Sequence, residues 1–316
     1  STVLIAILLG ILMGNAFTPR PGMMVGLDFT QQYILKLGII FLGIRLSFEE
    51  LIKFGSIAIP LIIICIVGVL ILVKLLIKKV PISSKMSYLI AIGTSVCGAT
   101  AIVATAPVIN AKKSEVAYAI ANITLFGVIA MLLYPYFAEW YFDNEALKVG
   151  LFLGTSIHET SQVAAAGLIY DQQFNSPETL NVATVTKLIR NTFLVILIPL
   201  FAFLYNRGEF KGQKYSIFNI FPYFVLGFIG MIIIRNLGDQ LYPTESNNYE
   251  IWVNLIEYLK ILATVFLTMA MAAVGISINL SELKSMGYKP FVVGLIAAVT
   301  VGIISLIYIE TLQKFI

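Results

Sequence analysis

Apolar runs of bilayer length recur along this chain and limit its fold more than any other feature. A membrane-crossing helix needs about 20 mainly apolar residues. Eight segments meet or approach that length, at 2–17, 33–48, 56–78, 115–138, 182–206, 217–238, 252–276 and 289–311. Of the 316 residues, 59% are hydrophobic and only 12% charged, against about 25% charged in a soluble domain. A chain so short of charge cannot cover itself with polar surface, so lipid must solvate it. The expectation is an all-α membrane protein with one integral membrane domain. The net charge of +4 is no nucleic-acid signal, because the basic residues fall in short clusters between apolar runs. Cys65 and Cys97 sit in apolar or near-apolar runs and offer neither a disulfide framework nor a metal cage, and no cofactor is expected. The chain opens at Ser1 inside an apolar run, with no initiator Met, which leaves room for an earlier targeting or spanning segment.

Two further segments, 86–110 and 147–169, are apolar at their ends but small and polar at their centres. These centres read Gly93-Thr94-Ser95-Val96-Cys97-Gly98-Ala99-Thr100 and Gly154-Thr155-Ser156-Ile157-His158-Glu159-Thr160-Ser161-Gln162. Backbone can leave the helix at membrane depth only where protein or a watery cavity satisfies it. The two centres echo each other, and each precedes a long apolar helix with an early Asn, Asn122 or Asn191. The stretch 43–51 also resembles 275–283, and a weaker echo joins the helices ending at Asn15 and Asn236. Weak internal symmetry with interrupted helices at matching places is the pattern of secondary transporters.

Parity chooses between two topologies. If both interrupted segments crossed fully, giving ten spanning helices with two of them broken, one repeat pair would run parallel and another antiparallel. If both are re-entrant hairpins, every pair is inverted. The expected architecture therefore has inverted repeats, about eight spanning helices and two opposed hairpins. The first unit is 1–138 and the second 139–316. Basic residues such as Arg20, Lys85, Lys112 and Lys113 fall on one side, predicted cytoplasmic, and Glu139, Asp143, Glu145 and Asp171 on the other.

An ionisable residue inside a membrane is a functional candidate, since a charge at the bilayer centre costs about 2.5 kcal/mol or more. His158, the one histidine of the chain, and Glu159 form such a pair and are candidates for proton coupling. A zinc-protease motif would need a second His four residues on, where Gln162 stands. Lys187 and Arg190 share one face of the helix 182–206, with Thr184 and Asn191 adjoining, and suit either an oxyanion or an internal pair with Glu159. Thr94, Ser95, Thr155 and Ser156, with Cys97, Gly98, Asn122 and Asn191, complete the candidate substrate site. Half-helix N-termini there would favour an anion.

The runs 93–99 through Ala106-Pro107-Val108 and 154–159 through Gln162-Val163-Ala164-Ala165-Ala166-Gly167 resemble the YeiH-type family of bacterial membrane proteins, which carries a sulfate-exporter label. Lys187-Leu188-Ile189-Arg190, the run 269–275 and Lys289-Pro290 match the same family, so the resemblance spans the chain. It implies a multi-pass protein of the bacterial cytoplasmic membrane that moves an anion such as sulfate or a sulfonate. Members of that family usually carry another hydrophobic segment ahead of the point where this chain starts. The functional expectation is a secondary transporter working by alternating access, with a passive anion channel as the main rival and an intramembrane enzyme as a weaker one. Its partners would be a small inorganic or organic anion and the lipid bilayer, with a homodimer left open.

Overall fold

The computed structural model describes residues 2–17, 20–76, 82–205, 222–278 and 288–312, among which there is no strand. The helices are α1 (Thr2–Ala16), α2 (Pro21–Arg45), α3 (Phe48–Leu76), α4 (Ser84–Ser95), α5 (Ala99–Thr105), α6 (Lys113–Phe142) and α7 (Ala146–Ser156). They continue with α8 (Thr160–Phe174), α9 (Pro177–Thr192), α10 (Leu194–Tyr205), α11 (Phe224–Leu241), α12 (Tyr249–Ser277) and α13 (Tyr288–Leu312). Among the described residues, seven spans are long and apolar enough to cross a bilayer: α2, α3, α6, α9 running into α10, α11, α12 and α13. The remaining segment expected to cross, 2–17, is α1, whose 15 residues extend about 22 Å against a hydrocarbon core of about 30 Å. The expected helix start at 217–221 and the 279–283 part of the second echo lie outside the described residues.

Two helices begin earlier than their apolar runs suggest, for local reasons. Pro21 presets the first turn of α2. Ahead of α3, the Ser47 N–H donates to the Glu50 carboxylate at 2.7 Å and the Glu50 N–H to the Ser47 hydroxyl at 3.1 Å. This capping box turns a polar stretch into a helix start. Helix α2 also contains a π-helical turn at Thr30–Ile34.

Helices α4 and α5 form one hairpin and α7 and α8 another. Lys85, at the start of α4, donates to the Asn110 carbonyl beyond α5 at 2.7 Å, so this segment returns to where it began. In the second hairpin, α7 runs parallel to α9, because Gly150 meets Val182 and Gly154 meets Thr186. Helix α8 runs antiparallel to α9, because Gly167 meets Leu180 and Asn191 bonds Thr160. The chain must therefore reverse between α7 and α8, and the Tyr170 hydroxyl indeed lies 3.2 Å from Asn144. At 12 and 11 residues, α4 and α7 reach about 18 and 16 Å, roughly halfway through hydrocarbon. Helix α6 joins the two hairpin bases, from Lys112 and Glu115 beside Ser83 to Glu139 beside Tyr170. The bases thus lie at opposite ends of a 30-residue helix, and the hairpins enter from opposite ends.

Close glycine contacts set the outer packing. Gly10 and Gly14 on α1 press against Ala272, Gly275 and Ile276 on α12, where a Cβ on Gly10 would come 2.5 Å from the Ala272 carbonyl. Small residues four apart let membrane helices approach in this way. Asn15 then donates to the Ile278 carbonyl at the end of α12 at 2.8 Å, and Asn236 accepts from the Phe48 N–H at the start of α3 at 3.2 Å.

Candidate functional site

The two hairpin tips, Val96–Gly98 and Ile157–Glu159, meet inside the bundle. The last carbonyls of a helix have no donor within it, and here two such ends, those of α4 and α7, come together away from water. Helix α9 crosses both and places Lys187 and Arg190 one turn apart against them. Arg190 donates from Nε to the Ser95 carbonyl at 2.7 Å, from Nη1 to the Thr155 and Ile157 carbonyls at 2.6 and 3.1 Å, and from Nη2 to the Thr94 carbonyl. Lys187 donates from Nζ to the Val96 carbonyl at 2.8 Å, to the Ile157 carbonyl at 3.1 Å and to the His158 carbonyl. Both cations are fully buried. Helix C-termini carry partial negative charge, so the carbonyl ends supply much of what a counter-ion would. Among the described residues neither cation forms an ion pair, and the internal pair with Glu159 is not formed.

The remaining expected site residues divide between framework and cavity. Ser95 and Thr155 bond back to the Ala91 and Leu151 carbonyls at 2.6 and 2.7 Å, and Thr155 also meets Ser305 on α13 at 2.7 Å. Asn122 donates to the Pro290 carbonyl at 2.9 Å, and Asn191 to the Thr160 hydroxyl at 2.9 Å. Both tie neighbouring helices together. The Thr94 and Ser156 hydroxyls are buried without a hydrogen-bond partner among the described residues. His158 is wholly buried. Its carbonyl accepts from Lys187, and among the described residues neither ring nitrogen makes a hydrogen bond of normal geometry.

A cavity of about 300 Å³ adjoins the tips. The tips contribute Cys97, Ala99, Thr100, Glu159, Thr160 and Ser161, and α2 contributes Gln31, Gln32, Leu35, Lys36 and Ile39. Phe224 of α11 and Val274 of α12 close it. Of the expected site residues only Cys97 and Glu159 line this cavity. Gly98 stands just behind them at φ +66°, a conformation that only glycine takes easily, and a Cβ there would run into the Glu159 side chain.

Glu159 is the pivot of the tips. It caps α8, its carboxylate accepting from the Gln162 N–H while its own N–H donates to the Gln162 side chain at 3.1 Å. It also reaches across to the Ala99 N–H of the opposite hairpin and lies 3.4 Å from the Thr124 hydroxyl of α6. The first bond inside α8 runs from Val163 to the Glu159 carbonyl, so the N–H groups of Thr160 and Ser161 have no carbonyl within the helix to bond. Ser161, only 6% exposed, lines the cavity beside them. Among the described residues no cluster of His, Cys, Asp or Glu could hold a metal ion.

Sequence reasoning missed Gln31, Gln32 and Lys36. Their signal was a polar Gln pair and a cation one turn on, ahead of the run taken to begin at 33. The π turn at Thr30–Ile34 adds a residue to that part of α2, a distortion common at functional sites.

The chain matches the family described as conserved hypothetical protein 698 over residues 1–294. It is 35% identical to a UPF0324 membrane protein of Streptococcus agalactiae over 303 residues, which is 95% of this chain and 86% of that protein. It is 34% identical to a UPF0324 membrane protein of Fusobacterium nucleatum over 310 residues, 96% and 88% of the two chains. The UPF0324 inner membrane protein YeiH of Escherichia coli is 33% identical over 305 residues, 94% and 81%. No solved structure matches the chain.

Proposed function

The chain belongs to the conserved hypothetical protein 698 family of UPF0324 membrane proteins, and from that premise we propose that it is a secondary transporter of a small anion. It is a multi-pass protein of the bacterial cytoplasmic membrane. The observation that carries the reading is the cavity between two half-crossing hairpins, lined by a carboxylate with no cationic partner among the described residues. Irregular backbone at membrane depth facing a cavity is how transporters of several folds build midplane sites.

In this reading an oxyanion, sulfate or a sulfonate, is held by the Thr160 and Ser161 N–H groups and the Ser161 hydroxyl, where the α8 N-terminus favours negative charge. Lys36 attracts it at the cavity mouth. Lys187 and Arg190 act from behind, holding the tips in register and lending the site a positive field. Glu159 occupies the same helix N-terminus, so its ionised form and the substrate repel each other. A proton on Glu159 would relieve that repulsion, and proton and anion would move together. Rocking of one part of the bundle against the rest would then expose the cavity alternately. His158 serves mainly through its carbonyl.

A passive channel would use the same donors but need no carboxylate in the path. An enzyme would need a nucleophile with a free base beside it, and the carboxylate that shares the cavity with Cys97, Glu159, is already engaged by the Gln162 and Ala99 N–H groups. The test is sulfate and alkanesulfonate uptake by proteoliposomes under a pH step. Accumulation above equilibrium is expected, and Glu159→Gln should retain exchange while losing the pH-driven gain. Flux that only ever equilibrates would make it a channel.

A further inference from the structure

The cavity has an apolar half that a bare inorganic ion would leave unused. Leu35 and Ile39 on α2, Phe224 on α11 and Val274 on α12 line the same cavity as Thr160 and Ser161, and Ile39 is almost fully buried. A volume of about 300 Å³ falls at the lower end of pockets that hold small organic molecules, which combine an apolar lining with a few convergent polar groups. Ser161 is only 6% exposed as a residue, borders the cavity, and its hydroxyl has no hydrogen-bond partner among the described residues. It is placed to receive a head group rather than to pack. Sulfate is polar on every face, and burying it here would strand oxygens against Leu35, Ile39 and Phe224 without hydrogen bonds.

We propose that the substrate is an amphiphilic organic anion: an oxyanion head at Ser161 and the start of α8, and a short apolar body between α2, Phe224 and Val274. This inference rests on the anion-transport reading and narrows it. Specificity then divides along the cavity. The head fixes orientation, and the apolar wall rejects ions that cannot fill it.

The experiment is calorimetric titration of the purified full-length protein in detergent with sulfate and with methane- to butanesulfonate. Affinity should rise about three- to four-fold with each methylene, and sulfate should bind weakest. Phe224→Ala should flatten the dependence on chain length while methanesulfonate still binds, and Ser161→Ala should weaken the whole series about equally. Val274→Ala is the second wall variant if Phe224→Ala unfolds. A flat series, or sulfate binding as tightly as butanesulfonate, overturns the amphiphilic substrate and leaves the anion reading standing. Absence of binding by every anion overturns both.

Discussion

Arg190 donates to four main-chain carbonyls drawn from two different hairpins. Its burial and its neighbour Lys187 were legible in the sequence, because cations three residues apart in an apolar helix must face something polar. Their partners were not, because carbonyls leave no trace in a sequence; only the chain reversals create the free helix ends they satisfy. Arg190→Lys keeps the charge but loses the planar fork. It should lower stability by about 2–4 kcal/mol through orphaned carbonyls, measured by thermal unfolding in detergent; an unchanged Tm would remove the clamp. Gly127 on α6 carries the Gln162 side chain directly against its Cα, and Gln162 in turn holds the Glu159 N–H and bonds the Thr124 carbonyl at 3.3 Å. Gly127→Ala should displace Gln162, cost about 1–3 kcal/mol by overpacking and shift the pH dependence of transport. A stable variant with an unaltered pH profile would separate this network from Glu159.

The hairpins were readable as small, polar centres within apolar runs. Their reversals show in particular contacts, Lys85 with Asn110 and Tyr170 with Asn144. Local chemistry hid two other elements. The Ser47–Glu50 cap looks like a loop until it closes, and the π turn in α2 has no sequence signature distinct from an ordinary helical turn. The cavity-lining role of Gln31, Gln32 and Lys36 was missed with it. Helix α7 depends on Gly154, where a Cβ would come 2.6 Å from the Thr186 Cβ and 2.8 Å from the Ala183 carbonyl. Gly154→Val should push α7 off α9, pull the Thr155 and Ile157 carbonyls away from Arg190, and lower Tm by several degrees. Wild-type stability in this variant would show that α7 does not need the close approach.

Across the molecule, α2 ends at the base of the second hairpin, where Arg45 pairs with Asp171 at 3.2 Å. Helix α12 ends beside the middle of α2, its Ser277 hydroxyl accepting from the Gln31 side chain at 2.7 Å. The cavity, bordered by Gln31 and Gln32 in the middle of α2 and by Val274 near the end of α12, therefore lies at the depth where the half-crossing tips meet, between the base that carries Lys85, Lys112 and Lys113 and the opposite one. Under the proposed topology the positive-inside rule puts the lysine-bearing base on the cytoplasmic side. Thr100 borders the cavity and is exposed, which makes it a probe of the site. The decisive measurement places a single cysteine there, Thr100→Cys with Cys65 and Cys97 changed to Ala, and times its reaction with a membrane-impermeant, negatively charged thiol reagent. The account predicts rapid labelling from the cytoplasmic face, block of transport once labelled, and slowing by transported anion. Equal labelling from both faces, or a rate indifferent to saturating anion, would contradict it.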